Sequence, residues 1–117
     1  MASLGKTMFK SKTGRRYQFR VFPLGTHFRK ISGIYVIAYR GRGTDGTHRH
    51  KILYVGNTED FSQPFEKHPK AQDLVRLGAN CICVQSDKSE ESRLEKERDL
   101  VAAFTPACND CQAGQSG

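Results

Sequence analysis

Apolar and polar positions alternate at several points along the chain. Tyr17, Phe19 and Val21 interleave with Arg16, Gln18 and Arg20, a period of two that predicts a half-buried strand with a basic outer face. A loop over residues 23–32 separates it from residues 33–40, rich in Ile, Val and Tyr, which read as a central strand with residues 51–55 as its partner. Between these two, residues 41–50 carry three glycines and a Thr-Asp-Gly turn signal. Residues 81–85 form a third apolar run of strand length. Residues 1–14 mix Lys, Ser, Thr and Gly with few apolar positions and predict a flexible basic arm, residues 15–111 a single domain, and residues 112–117 a disordered tail.

Two helices are predicted. The first comes after the turn at residues 57–60, with Ser62 as its cap and Pro64 in its first turn; Pro69 interrupts it, and Gly78 ends the segment beyond that proline. The second runs over residues 88–104, with Asp87 and Glu90 as a capping pair, and stops ahead of Thr105 and Pro106. On it, Leu94, Val101 and Phe104 share an apolar stripe, and Glu97 falls on the same stripe. A carboxylate there is either a solvated group at the edge of the stripe or a buried charge that must meet a cation, hydrogen-bond donors or a metal.

Charge divides the chain. Residues 1–51 hold twelve basic groups and one acid, a balance of +11, whereas residues 52–117 hold seven basic and eleven acidic groups, a balance of −4. A polyanion partner fits the first half, and nucleic acid is the expected one. Arg15, Arg16, Arg20, Arg42 and Arg49 are the candidate phosphate contacts. The alternative is a basic surface with no partner. Cys81-x-Cys83, with 24 residues before Cys108-x-x-Cys111, could supply four zinc ligands, but the spacing is weakly specific and zinc is not expected; the competing reading makes Cys81 or Cys83 a small core residue. His48 and His50 share one side of a strand but lack a third ligand. No apolar run is long enough to span a bilayer and no signal peptide is evident, so a cytoplasmic protein is expected.

If residues 33–40 and 51–55 pair so that Tyr35 faces Tyr54, two phenols meet on one face and Arg40 faces Arg49 across an eight-residue turn. Gly33-Ile34-Tyr35 followed by Tyr54-Val55-Gly56, the Asn57-Thr58-Glu59-Asp60-Phe61 continuation, and the ending from Glu97 through Pro106 to Asn109 together resemble the GIY-YIG nuclease family over residues 32–109. The resemblance implies an α/β domain with a small three-stranded antiparallel sheet flanked by helices, to which the strand around residues 16–22 would be an N-terminal addition. It also implies hydrolysis of DNA with one Mg²⁺ or Mn²⁺ ion. Carried over residue by residue, Tyr35 would activate water, Tyr54 would orient water or phosphate, Glu97 would hold the metal, Asn109 would support the site, and His68 would match a histidine of the first helix. The family's arginine position falls on Pro64, which carries no charge. The expected function is therefore DNA-directed hydrolysis if the site is active; the alternative is an inert module of the same scaffold that binds nucleic acid or a protein.

Overall fold

Each alternating segment finds an antiparallel neighbour. The computed structural model describes residues 3–109. These form strands β1 (Gly5–Lys10), β2 (Arg16–Pro23), β3 (Gly33–Arg42), β4 (His48–Thr58) and β5 (Cys81–Ser86), with helices α1 (Ala71–Arg76) and α2 (Glu90–Phe104). The strands lie in the order β1-β2-β5-β3-β4, every pair antiparallel, in a sheet curled into a half-barrel. The three-stranded sheet flanked by helices is thus corrected to a five-stranded sheet with few helices. Much of the difference comes from the segment read as a flexible arm. Gly5–Lys10 pairs along its whole length with β2, because Phe9 turns inward beside Tyr17 and Phe19 while Lys6, Met8 and Lys10 face out. One buried aromatic suffices when the neighbouring strand already supplies the rest of the face.

Strand register assigns every side chain to one of two faces, since directly opposed residues point the same way. Val21, Cys83, Val36 and Val55 form one row, packed with Phe9, Tyr17, Phe19, Ile34, Ala38, Cys81 and Leu100. Helix α2 covers this face, touching β1, β3 and β4, so it is the concave one. The opposite face carries Ile37, Leu53 and Leu74 with Cys108, bordered by Tyr35, Tyr54 and Phe65. A bulge in β4 at Leu53 shifts the pairing between Ile37 and Ala38. Tyr35 consequently opposes Gly56 and Ile37 opposes Tyr54, not Tyr35 opposite Tyr54; Arg40 opposes His50, and Gly41 opposes Arg49.

The first predicted helix is a single 3-10 turn, Phe65–Lys67, with Pro64 as its N-cap. Pro69 forces the preceding His68 into an extended conformation (φ −64°, ψ 135°), so α-helix begins only at Ala71. Helix α2 starts at Glu90 under a Ser89 cap, whose hydroxyl accepts the Ser92 amide. Asp87 ties the junction instead of pairing with Glu90. Its carboxylate accepts from Lys96 Nζ (2.8 Å), Ser92 Oγ (2.6 Å) and the Ser89 amide (3.0 Å), and these donors, Lys96 foremost, hold its pKa down at about 2. Leu94, expected inward, is exposed; Arg93 and Leu100 are the buried residues of this helix, and Val101 and Phe104 pack on the concave core.

Gly33 fixes where β3 meets its neighbours. A Cβ there would collide with the Gln85 carbonyl oxygen of β5 and with the Phe61 ring, the first of which is backbone and cannot turn aside. Gly33→Ala should destabilise the fold by about 1–3 kcal/mol through overpacking, read as a lower urea midpoint at unchanged m-value. A midpoint equal to wild type would show that the β3–β5 contact relaxes freely.

Candidate functional site

Tyr35, Tyr54 and His68 form one aromatic cluster. The two phenol rings lie 6.0 Å apart between centroids, diagonal neighbours on the same face, and the His68 ring stands edge-on to both at 6.0 and 4.9 Å. Gly56 makes this possible: a Cβ at that position would come within 2.7 Å of the Tyr35 ring and 2.8 Å of Tyr54. His68 Nδ1 accepts the Lys70 backbone amide at 3.0 Å, so in the neutral ring the proton sits on Nε2 and is donated to Tyr35 Oη at 2.9 Å. The Tyr35 hydroxyl keeps its own proton, which it turns toward Tyr54. Burial pushes the Tyr35 pKa up, and the neighbouring Tyr54 and Glu97 add to the effect; Tyr54 is raised by burial and then by Glu97. Both phenols are therefore neutral donors. Burial, with the nearby Lys70 charge, lowers the His68 pKa and keeps its ring neutral.

Glu97 and Asn109 approach the cluster from the edge of the sheet. Glu97 Oε1 accepts from Asn57 Nδ2 at 2.6 Å, and Asn57 opposes Ile34 on the concave face. Asn109 grips the outer edge of β4, its side-chain oxygen accepting the Val55 amide at 2.8 Å and its Nδ2 donating to the Val55 carbonyl at 3.0 Å. The five residues carried over from the resemblance thus divide. Tyr35, Tyr54 and His68 share a face, His68 from a pre-proline loop and not from a helix; Glu97 meets them over the β4 edge through its field; Asn109 is spent on the backbone. Asn57, 40 residues from Glu97, has no spacing signal that would have singled it out.

A pocket of about 250 Å³ opens beside the cluster. Tyr35 and His68 form one wall, Phe28, Phe61 and Phe65 supply aromatic surface, and Pro64 lies on the rim in place of the expected arginine. Lys67 is the one Lys or Arg in its lining, with Asp60 as the acid. The loop aromatics, Phe28 above all, were not singled out by the sequence pattern because loop residues carry no period.

The arginine candidates separate as well. Arg16 and Arg20 are exposed on the face that bears Tyr35, whereas Arg15 bonds Glu95 of α2 at 2.9 Å. One row crosses all five strands: Lys6, Arg20, Val84, Tyr35, Gly56. Lys10 opposes Arg16 on the same face. Like charges directly opposed on a sheet are destabilising, so the pairs Lys6–Arg20 and Lys10–Arg16 cost stability unless an anion lies across them. Arg42 and Arg49 are exposed at the β3–β4 hairpin end, on opposite faces, as Arg42 opposes His48 and Arg49 opposes Gly41.

The four-cysteine zinc set does not assemble. Cys81 and Cys83 are buried on the concave face and Cys108 in the core on the other side, and Cys111 lies outside the described residues, as does the tail at residues 112–117. No described helix is long and apolar enough to cross a membrane. No known protein family, curated protein or solved structure compared with this chain matches it.

Neutral His68 gives a pH test. Its pKa is lowered in the folded state, so the unfolded chain binds the extra proton first as pH falls; the stability is complete above about 6.5 and declines as pH drops from there toward the folded value. An NMR titration should place His68 below 6.5, and His68→Gln should reduce the acid-side loss of stability. A titration midpoint at or above 6.5 would overturn the assigned tautomer and the direction of the Tyr35 hydrogen bond.

Proposed function

We propose that this chain binds nucleic acid, DNA in the first instance, along the basic face of β1 and β2 that leads to the Tyr35 and His68 pocket. The observation that carries this reading is the five-strand row in which Lys6 and Arg20 lie level with Tyr35. Strands about 4.8 Å apart put Arg20 about 10 Å from the Tyr35 backbone, a spacing over which one strand can touch both with successive nucleotides. Phosphates would lie on Lys6, Lys10, Arg16 and Arg20, while an unpaired base would stack in the pocket among Phe28, Phe61 and Phe65.

Hydrolysis is the second reading, and the His68 to Tyr35 hydrogen bond favours it. Tyr35 would pass its proton to the leaving oxygen as the bond to phosphorus breaks, the His68 N–H steadying the phenolate that remains, while the attacking water gives its proton to solvent. Glu97, with one carboxylate oxygen taken by Asn57, fits a hard divalent ion that keeps mostly water ligands. When bound, Mg²⁺ or Mn²⁺ would supply charge stabilisation at the phosphate. Pro64 withholds the cation that the pocket rim would otherwise present, which makes any turnover slow and leaves binding as the leading activity.

Fluorescence anisotropy with labelled single-stranded and duplex DNA tests the binding face. Lys6→Glu with Arg20→Glu should weaken binding at least tenfold and reduce the salt slope by about two, one for each phosphate left without its cation. Arg15→Glu, on the other face and already paired with Glu95, should change affinity by less than about twofold. Equal losses from the two sets would sink the proposal. For hydrolysis, Pro64→Arg should raise Mg²⁺-dependent cleavage of labelled DNA by at least about tenfold, the effect of only about 1.4 kcal/mol in the transition state. The further change Glu97→Gln should abolish the gain. Binding without cleavage in either protein would leave an inert binding module as the correct description.

A further inference from the structure

Strands β4 and β5 carry a second cluster of donor atoms, on the concave face and apart from the phenols. The His50 ring nitrogen and the sulfurs of Cys81 and Cys83 all lie within 4.8 Å of one another. Cys81 and Cys83 come from alternate positions of β5 and so share a face; His50 comes from β4, two strands away. Ala38, fully buried between them on β3, is small enough to let the side chains meet above it. Phe9 of β1 stands edge-on to the His50 ring at 6.1 Å, closing the cluster from the far side of the curled sheet. His50 Nε2 is buried and has no hydrogen-bond partner, an arrangement that normally costs about 1–3 kcal/mol. Neither thiol is tied up in a disulfide.

We propose that His50, Cys81 and Cys83 form a binding site for a single copper(I) ion. Donors about 2.3 Å from a shared ion stand roughly 4 Å apart when three surround it, so the triangle needs to contract by less than about 1 Å. Thiolate and imidazole together select soft ions such as Cu⁺ or Zn²⁺. Two features favour the monovalent ion. Zinc takes a fourth ligand, from the protein or from water, whereas among the described residues this group offers three His, Cys, Asp or Glu donors, and Cys81 and Cys83 are fully buried, away from solvent. Charge points the same way: Cu⁺ with two thiolates carries −1, which offsets Arg40, the residue directly opposite His50, whose Nε is buried without a partner. Zn²⁺ with the same ligands would be neutral and leave Arg40 uncompensated. Binding releases the two S–H protons, one from each cysteine, and involves no change in oxidation state. His50 would enter as the neutral ring, through whichever nitrogen carries no proton.

This site is independent of the nucleic-acid reading, and its test does not depend on activity. The reduced full chain is titrated anaerobically against a coloured Cu(I)–bicinchoninate complex. One equivalent of Cu(I) should be withdrawn per chain, and X-ray absorption should show two sulfur neighbours and one nitrogen. The Cys108→Ser, Cys111→Ser double variant should bind as wild type. Cys81→Ser, Cys83→Ser and His50→Phe should each weaken binding at least about tenfold, with circular dichroism reporting whether the fold is kept. Should these core variants unfold, the double variant decides the matter: excess Cu(I) must still raise its Tm, as a ligand of the folded state does. Copper uptake lost with Cys108 and Cys111, no Tm rise in the double variant, or tight Zn²⁺ binding with no Cu(I) binding would each overturn the proposal.

Discussion

Antiparallel register is the constraint on which the rest of this molecule depends. Strand β3 is paired on both sides, with β5 and with β4, and its alternate residues serve two different surfaces. Even-numbered positions Ile34, Val36 and Ala38 build the core under α2, while Tyr35 and Ile37 face the other way. A slip of one residue would exchange the two sets, putting a phenol in the core and Ile34, Val36 and Ala38 on the binding face. Gly33 and Gly56 hold the register by tolerating contacts that any side chain would forbid, and the bulge at Leu53 turns two consecutive β4 residues, Leu53 and Tyr54, to one side.

The strands themselves were legible because their period is local. Residues 16–22, 33–40 and 81–85 each lie within a strand, and α2 ends at Phe104 ahead of Thr105, which takes the left-handed conformation (φ 39°). The number of strands was not legible. Gly5–Lys10 has a single buried apolar residue, and its pairing depends on the face presented by β2, a tertiary effect with no trace in its own composition. The first helix failed for a reason that was visible: Pro69 restricts His68, and the intervening residues make only a 3-10 turn.

Site residues divide along the same line. The tyrosines were found because their triplets sit on paired strands, and His68 because it comes after them in a recognisable order. The partners that give them chemistry come from elsewhere in the chain: Lys70 fixes the His68 tautomer, Asn57 holds Glu97, and loop aromatics wall the pocket. Arg15 and Arg16 are adjacent in sequence yet lie on opposite faces, since neighbouring residues of an extended chain point opposite ways. Cys81 and Cys83 looked for partners along the chain, at residues 108 and 111, whereas their near neighbour in space is His50 across β3.

The grip of Asn109 on Val55 has a consequence for how the protein behaves among copies of itself. An outermost strand presents unpaired amides and carbonyls that can template another chain. At Val55 both groups are taken by one carboxamide, which imitates the hydrogen-bonding edge of a further strand while being too short to extend it. The residue therefore works as a terminator of the sheet: growth by strand addition would first have to evict it, which makes Asn109 an intramolecular stopper against polymerisation.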